Sequence, residues 1–100
     1  MSAYNFVKPN YYAVIPASVR YDKRLTANAK LLYGEISSLC NKEGKCWATN
    51  NYFAELYGID KRSIQRLIQS LHALGYIKMT VEYKEGTKTI SKRYVQICHE

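Results

Sequence analysis

Three residues, Gly58-Ile59-Asp60, constrain this chain more than any others. They separate a pair of short stretches of helical periodicity, and each side carries its own punctuation. Upstream, Thr49 is a candidate N-cap, Tyr52, Phe53 and Leu56 recur at helical spacing, and Gly58 supplies the stop. Downstream, the Asp60 carboxylate is placed to cap the free N–H groups of the next turn. Ile59 and Ile64 flank that cap at the spacing of a hydrophobic staple. Ile64, Leu67, Ile68 and Leu71 then follow at i, i+3, i+4 and i+7, which makes one face apolar. Lys61, Arg62, Gln65, Arg66 and Gln69 fall on the other side, and Gly75 closes the helix at C′.

Two helices joined by a short glycine-containing turn, the second rich in Arg, Lys and Gln, make the helix-turn-helix pattern. The rest of the chain frames it. Tyr11–Ile15 reads as a short strand ended by Pro16, and Pro16–Tyr21 as one helical turn with Val19 inward and Arg20 outward. Thr26 caps an amphipathic helix over about Ala27–Asn41, with Ala29, Leu32, Tyr33, Ile36, Leu39 and Cys40 on its buried stripe. Gly34, within that helix, weakens it and marks a close helix–helix approach, with Leu31 off the stripe and under the N-terminal strand. Cys46-Trp47-Ala48 is too short to stand as a strand alone and needs a partner. Trp47 is read either as a surface anchor for a ligand or as a residue of the core or sheet edge.

Beyond Gly75, Tyr76–Tyr83 alternates with Ile77, Met79, Val81 and Tyr83 on one face. Lys84–Thr89 makes the turn, and Ile90–Ile97 returns with Val95 and Ile97 inward. Lys84, Lys88, Lys92 and Arg93 are assigned to the outward side of this hairpin. The expected fold is therefore α+β, a winged helix-turn-helix. Three main helices carry a small antiparallel sheet, the wing hairpin, with an N-terminal strand or short helix. Cys46–Ala48 is expected at the hairpin's edge. One domain spans 1–100, with 1–10 as a loosely held lead-in.

Charge agrees with a polyanionic partner. The formal net charge is +7, and the excess is concentrated late in the chain, with eight Lys/Arg against three Asp/Glu over residues 61–100. No acid interrupts the run from Lys61 to Val81, whereas a merely solvated helix would mix Glu with Lys. Lys61, Arg62, Ser63, Gln65, Arg66 and Gln69 are the expected base-reading set, since Arg matches guanine and Gln matches adenine as bidentate partners. Thr49, Asn50 and Asn51, at the start of the preceding helix, are assigned to the DNA backbone together with Lys84, Lys88, Lys92 and Arg93.

Other chemistries find little footing. Paired acids, a glycine-rich phosphate loop and a Ser or Cys with a local His are all missing, so no enzyme and no cofactor are expected. Cys40, Cys46 and Cys98 lack the tight spacing of a zinc site, even with His72 and His99. They are expected as buried free thiols in a reducing, cytoplasmic compartment, with no metal bound. No apolar run approaches the ~20 residues that cross a bilayer, so no membrane partner is expected.

The stretches Y-D-K-R-L-T-A-N-A-K-L-L-Y-G-E-I-S-S-L-C-N-K-E-G-K-C-W-A-T-N, Y-F-A-E-L-Y-G-I-D-K-R-S-I-Q-R-L-I and L-G-Y-I resemble a known family. It is the N-terminal winged helix-turn-helix domain of replication-initiation proteins of Gram-positive phages, plasmids and related mobile elements. The resemblance covers about Val14 to Ile77 and implies binding of double-stranded origin DNA. It also implies a separate C-terminal region that recruits replication proteins. It puts the recognition helix at Asp60–Leu74, with Arg62, Ser63, Gln65 and Arg66 at its reading end. Ser63-Ile64 stands where the family more often has Thr-Val or Thr-Ile. Because the sequence stops just after the wing, an excised domain or a small stand-alone regulator is expected. A transcriptional regulator and a protein-contact module of replisome assembly stay open as alternatives. So does a homodimer paired through Tyr11–Ile15.

Overall fold

The computed structural model describes residues 11–98. The expected lead-in at 1–10 and His99 lie outside the described residues. Four helices are followed by a two-stranded antiparallel sheet: α1 (Ala17–Arg20), α2 (Ala27–Leu39), α3 (Asn50–Tyr57), α4 (Lys61–Ala73), β1 (Ile77–Tyr83) and β2 (Ile90–Ile97). This is the α+β winged helix-turn-helix expected from the pattern.

The caps fall where the side chains can make them. Thr26 Oγ1 accepts from the Ala29 amide at 3.2 Å, and Thr49 Oγ1 accepts from the Tyr52 amide at 3.1 Å. Asp60 Oδ1 accepts from the Ser63 amide at 2.7 Å. Each satisfies one of the donors that a helix start leaves open. Helix α2 stops at Leu39 rather than at Asn41, because Asn41 Oδ1 is occupied by the Glu43 and Lys45 amides in the following turn.

The core lies where α2, α3 and α4 meet the foot of the sheet. Leu32, Ile36, Phe53, Ile64, Leu71 and Val95 are completely buried there, joined by Val19 from α1 and Ile77 from β1. At 25 cal/mol per Å² of apolar surface removed from water, each such Leu, Ile, Val or Phe contributes about 1.5–3 kcal/mol. These side chains fix how α3 and α4 cross, and thereby what the polar face of α4 presents.

Three local expectations change. Tyr11–Ile15 joins no strand; it lies across α2, where a Cβ on Gly34 would meet Ile15 Cγ1 at 3.0 Å and Ala13 Cβ at 3.1 Å. The close approach at Gly34 is therefore to this segment and not to another helix, and Leu31 beside it is exposed. Cys46–Ala48 is reduced to one bridge, with Cys46 N–H donating to Val95 O at 2.8 Å and Val95 N–H to Cys46 O at 2.9 Å. One residue pair suffices to bury Cys46 without a ladder.

The third change is Arg93. β1 and β2 pair with Met79 opposite Val95 and Val81 opposite Arg93. Side chains alternate along a strand, so Arg93 shares the inward face of the buried Val95 and not the outward face expected for it. The outward face carries Lys92 and Tyr94 instead. There Tyr94 packs on Trp47 with ring centroids 4.9 Å apart. The ammonium of Lys45 lies 4.8 Å from the Tyr94 centroid, and that of Lys92 lies 5.4 Å from the Trp47 centroid. Trp47, 38% exposed, is a sheet-edge residue in this cluster.

Candidate nucleic-acid interface

Helices α3 and α4 are joined by the turn at Gly58. Its φ of +69° is a left-handed conformation that glycine adopts without a Cβ penalty. The Gly58 and Ile59 amides both donate to Ala54 O, at 2.9 and 3.2 Å, which ends α3 and redirects the chain. Ile59 is half-buried against the core, as a staple residue should be.

The turn brings the starts of the two helices side by side. Thr49, Asn50 and Asn51 from α3 and Lys61, Arg62 and Gln65 from α4 line one open groove of about 710 Å³. Residues from both assigned sets thus share one surface. Lys61, Arg62 and Gln65 are exposed, as are Arg66 and Gln69 further along the same face. No ion pair ties up Lys61, Arg62 or Arg66 among the described residues. Ser63 is different: it is half-buried, with its amide spent on the Asp60 cap.

The groove is rich in donors. Thr49 takes the Tyr52 amide with its hydroxyl and the Phe53 amide with its carbonyl. The amides of Asn50 and Asn51 keep no acceptor among the described residues. Unpaired Lys and Arg side chains beside free N–H groups suit phosphate oxygens, which only accept.

The hairpin residues separate into three kinds. Lys84 and Lys88 are exposed at the wing tip with no ion pair among the described residues. Lys92 is exposed but its ammonium lies over Trp47. Arg93 turns inward and donates to Asn50 Oδ1 at 2.6 Å and to Ala48 O at 2.8 Å. Burial lowers its pKa from the ordinary arginine value. Its guanidinium is thus committed inside the protein, whereas Lys84 and Lys88 are exposed.

Two features of this surface escape a reading of the sequence. The Lys45–Tyr94–Trp47–Lys92 cluster is legible only in the alternation about Cys46 and Val95, once their pairing is known. The apolar inner face of the distal wing, with Val81 37%, Tyr83 56% and Ile90 55% exposed, shows that the hairpin projects past the core that its pattern suggested it would cover. A separate hollow of about 370 Å³ lies between Ala13, Ile15, Asn28, Leu31, Glu35, Tyr57 and Ile59. Glu35 is its sole charged group and binds the hydroxyls of Tyr11 and Tyr57. An apolar hollow with a carboxylate does not suit a polyanion.

No helix among the described residues is long and apolar enough to cross a membrane. A family model described as a helix-turn-helix domain matches residues 23–77, from just before α2 to the first residue of β1. No curated protein and no solved structure matches the chain. The matched span takes in the Gly58 turn, both capped helices and the groove between them. The chain thus belongs to the helix-turn-helix domain family.

Proposed function

We propose that this protein binds double-stranded DNA sequence-specifically, and that it does so at a replication origin of a phage, plasmid or related mobile element. The observation that carries the DNA reading is the groove where Thr49, Asn50 and Asn51 meet Lys61, Arg62 and Gln65. In such a fold the second helix enters the major groove by its first turns. Here those turns hold unpaired Arg62 and Arg66 with Gln65 and Gln69, each good bidentate base contact being worth about 1–3 kcal/mol of discrimination. Lys84 and Lys88 on the wing would reach the flanking backbone, a role that positions and does not specify.

The origin assignment and partnership with replication proteins rest on the resemblance of Val14–Ile77 to replication-initiation domains, while a cytoplasmic location rests on the free cysteines. The chemistry of α4 serves a promoter-binding regulator equally well. Footprinting on the DNA that encodes the chain separates the two, with protection at an origin expected and protection confined to a promoter overturning the replication role. The DNA reading itself is tested by a salt titration on duplex DNA. Log K should fall linearly with log salt, by about 0.9 per phosphate contact. Binding that is absent or independent of salt would overturn it.

A further inference from the structure

Asn50 opens α3 and lines the groove, yet its side-chain oxygen is committed to Arg93. It accepts from Arg93 Nη1 at 2.6 Å, while Arg93 Nη2 donates to Ala48 O at 2.8 Å. A guanidinium has only donors. The Asn50 amide can therefore meet it only with Oδ1, since the flipped amide would set N–H against N–H. That leaves the Nδ2–H2 end, which has no hydrogen bond among the described residues, as the free end of the side chain.

We propose that Arg93 is a positioning residue for phosphate binding, holding the Asn50 amide so that it offers only donors to the groove. A phosphate oxygen only accepts, so an Asn free to rotate would present the wrong atom some of the time. The same two bonds set the wing. Two residues along β2, Val95 exchanges both backbone bonds with Cys46, so β2 is fastened to the segment entering α3 at two successive inward positions. Arg93 reaches this place because strand alternation points it inward with Val95 and half-buries it. The inference rests on the DNA reading above, but it assigns Arg93 to the protein's interior and not to the phosphate.

The test measures duplex-DNA affinity across a salt series, together with Tm, for the whole chain and five variants. Asn50→Asp keeps an acceptor for Arg93, so Tm should hold, while affinity falls about tenfold or more and below that of Asn50→Ala. Arg93→Met and Arg93→Lys should each lose about tenfold with the salt slope unchanged, because a lysine cannot reproduce the two-pronged bond. Arg93→Met added to Asn50→Ala should cost little more than Asn50→Ala alone. The proposal is overturned if Arg93→Met lowers the slope by about 0.9 and Arg93→Lys restores binding, which marks a direct phosphate ligand. It is equally overturned if the two losses add in full. Should Arg93→Met fail to fold, Arg93→Lys decides, and wild-type affinity for Arg93→Lys would sink the proposal. A wild-type chain with no salt-dependent binding removes the DNA reading itself, a result visible before any variant is compared.

Discussion

The hydroxyl of Tyr76, between α4 and β1, donates a 2.6 Å hydrogen bond to Asp22 Oδ2, a residue 54 positions earlier in the loop before α2. The same hydroxyl lies 3.1 Å from Ser18 O in α1. Arg24 forks onto the carboxylate with Nε at 3.0 Å and Nη2 at 2.7 Å. One carboxylate, 6% exposed, thus ties the base of the wing to the N-terminal helices. Tyr76→Phe keeps the ring, which packs edge-on to Tyr33 at 6.2 Å, and removes only the bond. A loss of about 1 kcal/mol in urea unfolding is expected, with no change in the salt slope of DNA binding.

That carboxylate also makes stability depend on acid. Hydrogen bonds from the Arg24 side chain, then from Tyr76, hold Asp22 well below the usual carboxylate range. Hydrogen bonds from Ser63 lower Asp60 in the same way. A carboxylate whose folded pKa is depressed contributes stability that is fully present above its unfolded pKa, about 3.9. The contribution is lost as pH falls toward the folded value. The urea midpoint should hold from neutrality to about pH 5 and drop below about pH 4. Asp22→Asn should start from a lower midpoint and fall less steeply.

Two glycines separate conformation from space. Around Gly58 a Cβ would meet nothing within 4 Å, but φ is +69°. Gly58→Ala should therefore cost on the order of 1 kcal/mol through the backbone alone. Gly34 sits in ordinary helical backbone, where Ala would gain on the order of 1 kcal/mol in propensity. That gain is opposed by Ala13 and Ile15, 3.1 and 3.0 Å from the new Cβ. Near-neutral stability with faster proteolysis of the 11–15 segment is the expected result for Gly34→Ala, by thermal melts and limited digestion.

Wing and helix should fail differently on DNA. Lys84→Ala and Lys88→Ala should each weaken all duplexes alike and lower the salt slope by about 0.9. Arg66→Ala should cost about 1–3 kcal/mol on the target site and much less on random duplex. Competition titrations with both DNAs check this. Equal losses on the two would remove Arg66 from base reading.

Cys46 is fully buried, and desolvation pushes its thiol above the ordinary value. Alkylation at neutral pH should reach Cys46 only as fast as the chain opens, so added urea should accelerate it sharply. Mass mapping of the labelled peptides gives the rate.

The sequence alone settled whatever is encoded within a few residues. Thr26, Thr49 and Asp60 cap because each lies three residues before the amide it bonds. Periodicity named the buried faces of α2 and α4, and the glycines at 58 and 75 ended helices for reasons of local backbone geometry. The polar face of α4 followed at once, and Lys61, Arg62, Gln65, Arg66 and Gln69 are all exposed on it.

Tertiary structure decided the rest, because pairing across the chain is not written in any one segment. Tyr11–Ile15 has the composition of a strand, but a strand exists only beside another, and this segment finds α2 instead. Cys46–Ala48 gained a single bridge because only Cys46 meets Val95 in register. Once Val95 points inward, Arg93 must too, and the guanidinium's desolvation is then compensated by Ala48 and Asn50, more than forty residues away in sequence. The helices were local facts. The direction of Arg93, and with it the joining of wing to groove, was a fact of the assembled sheet.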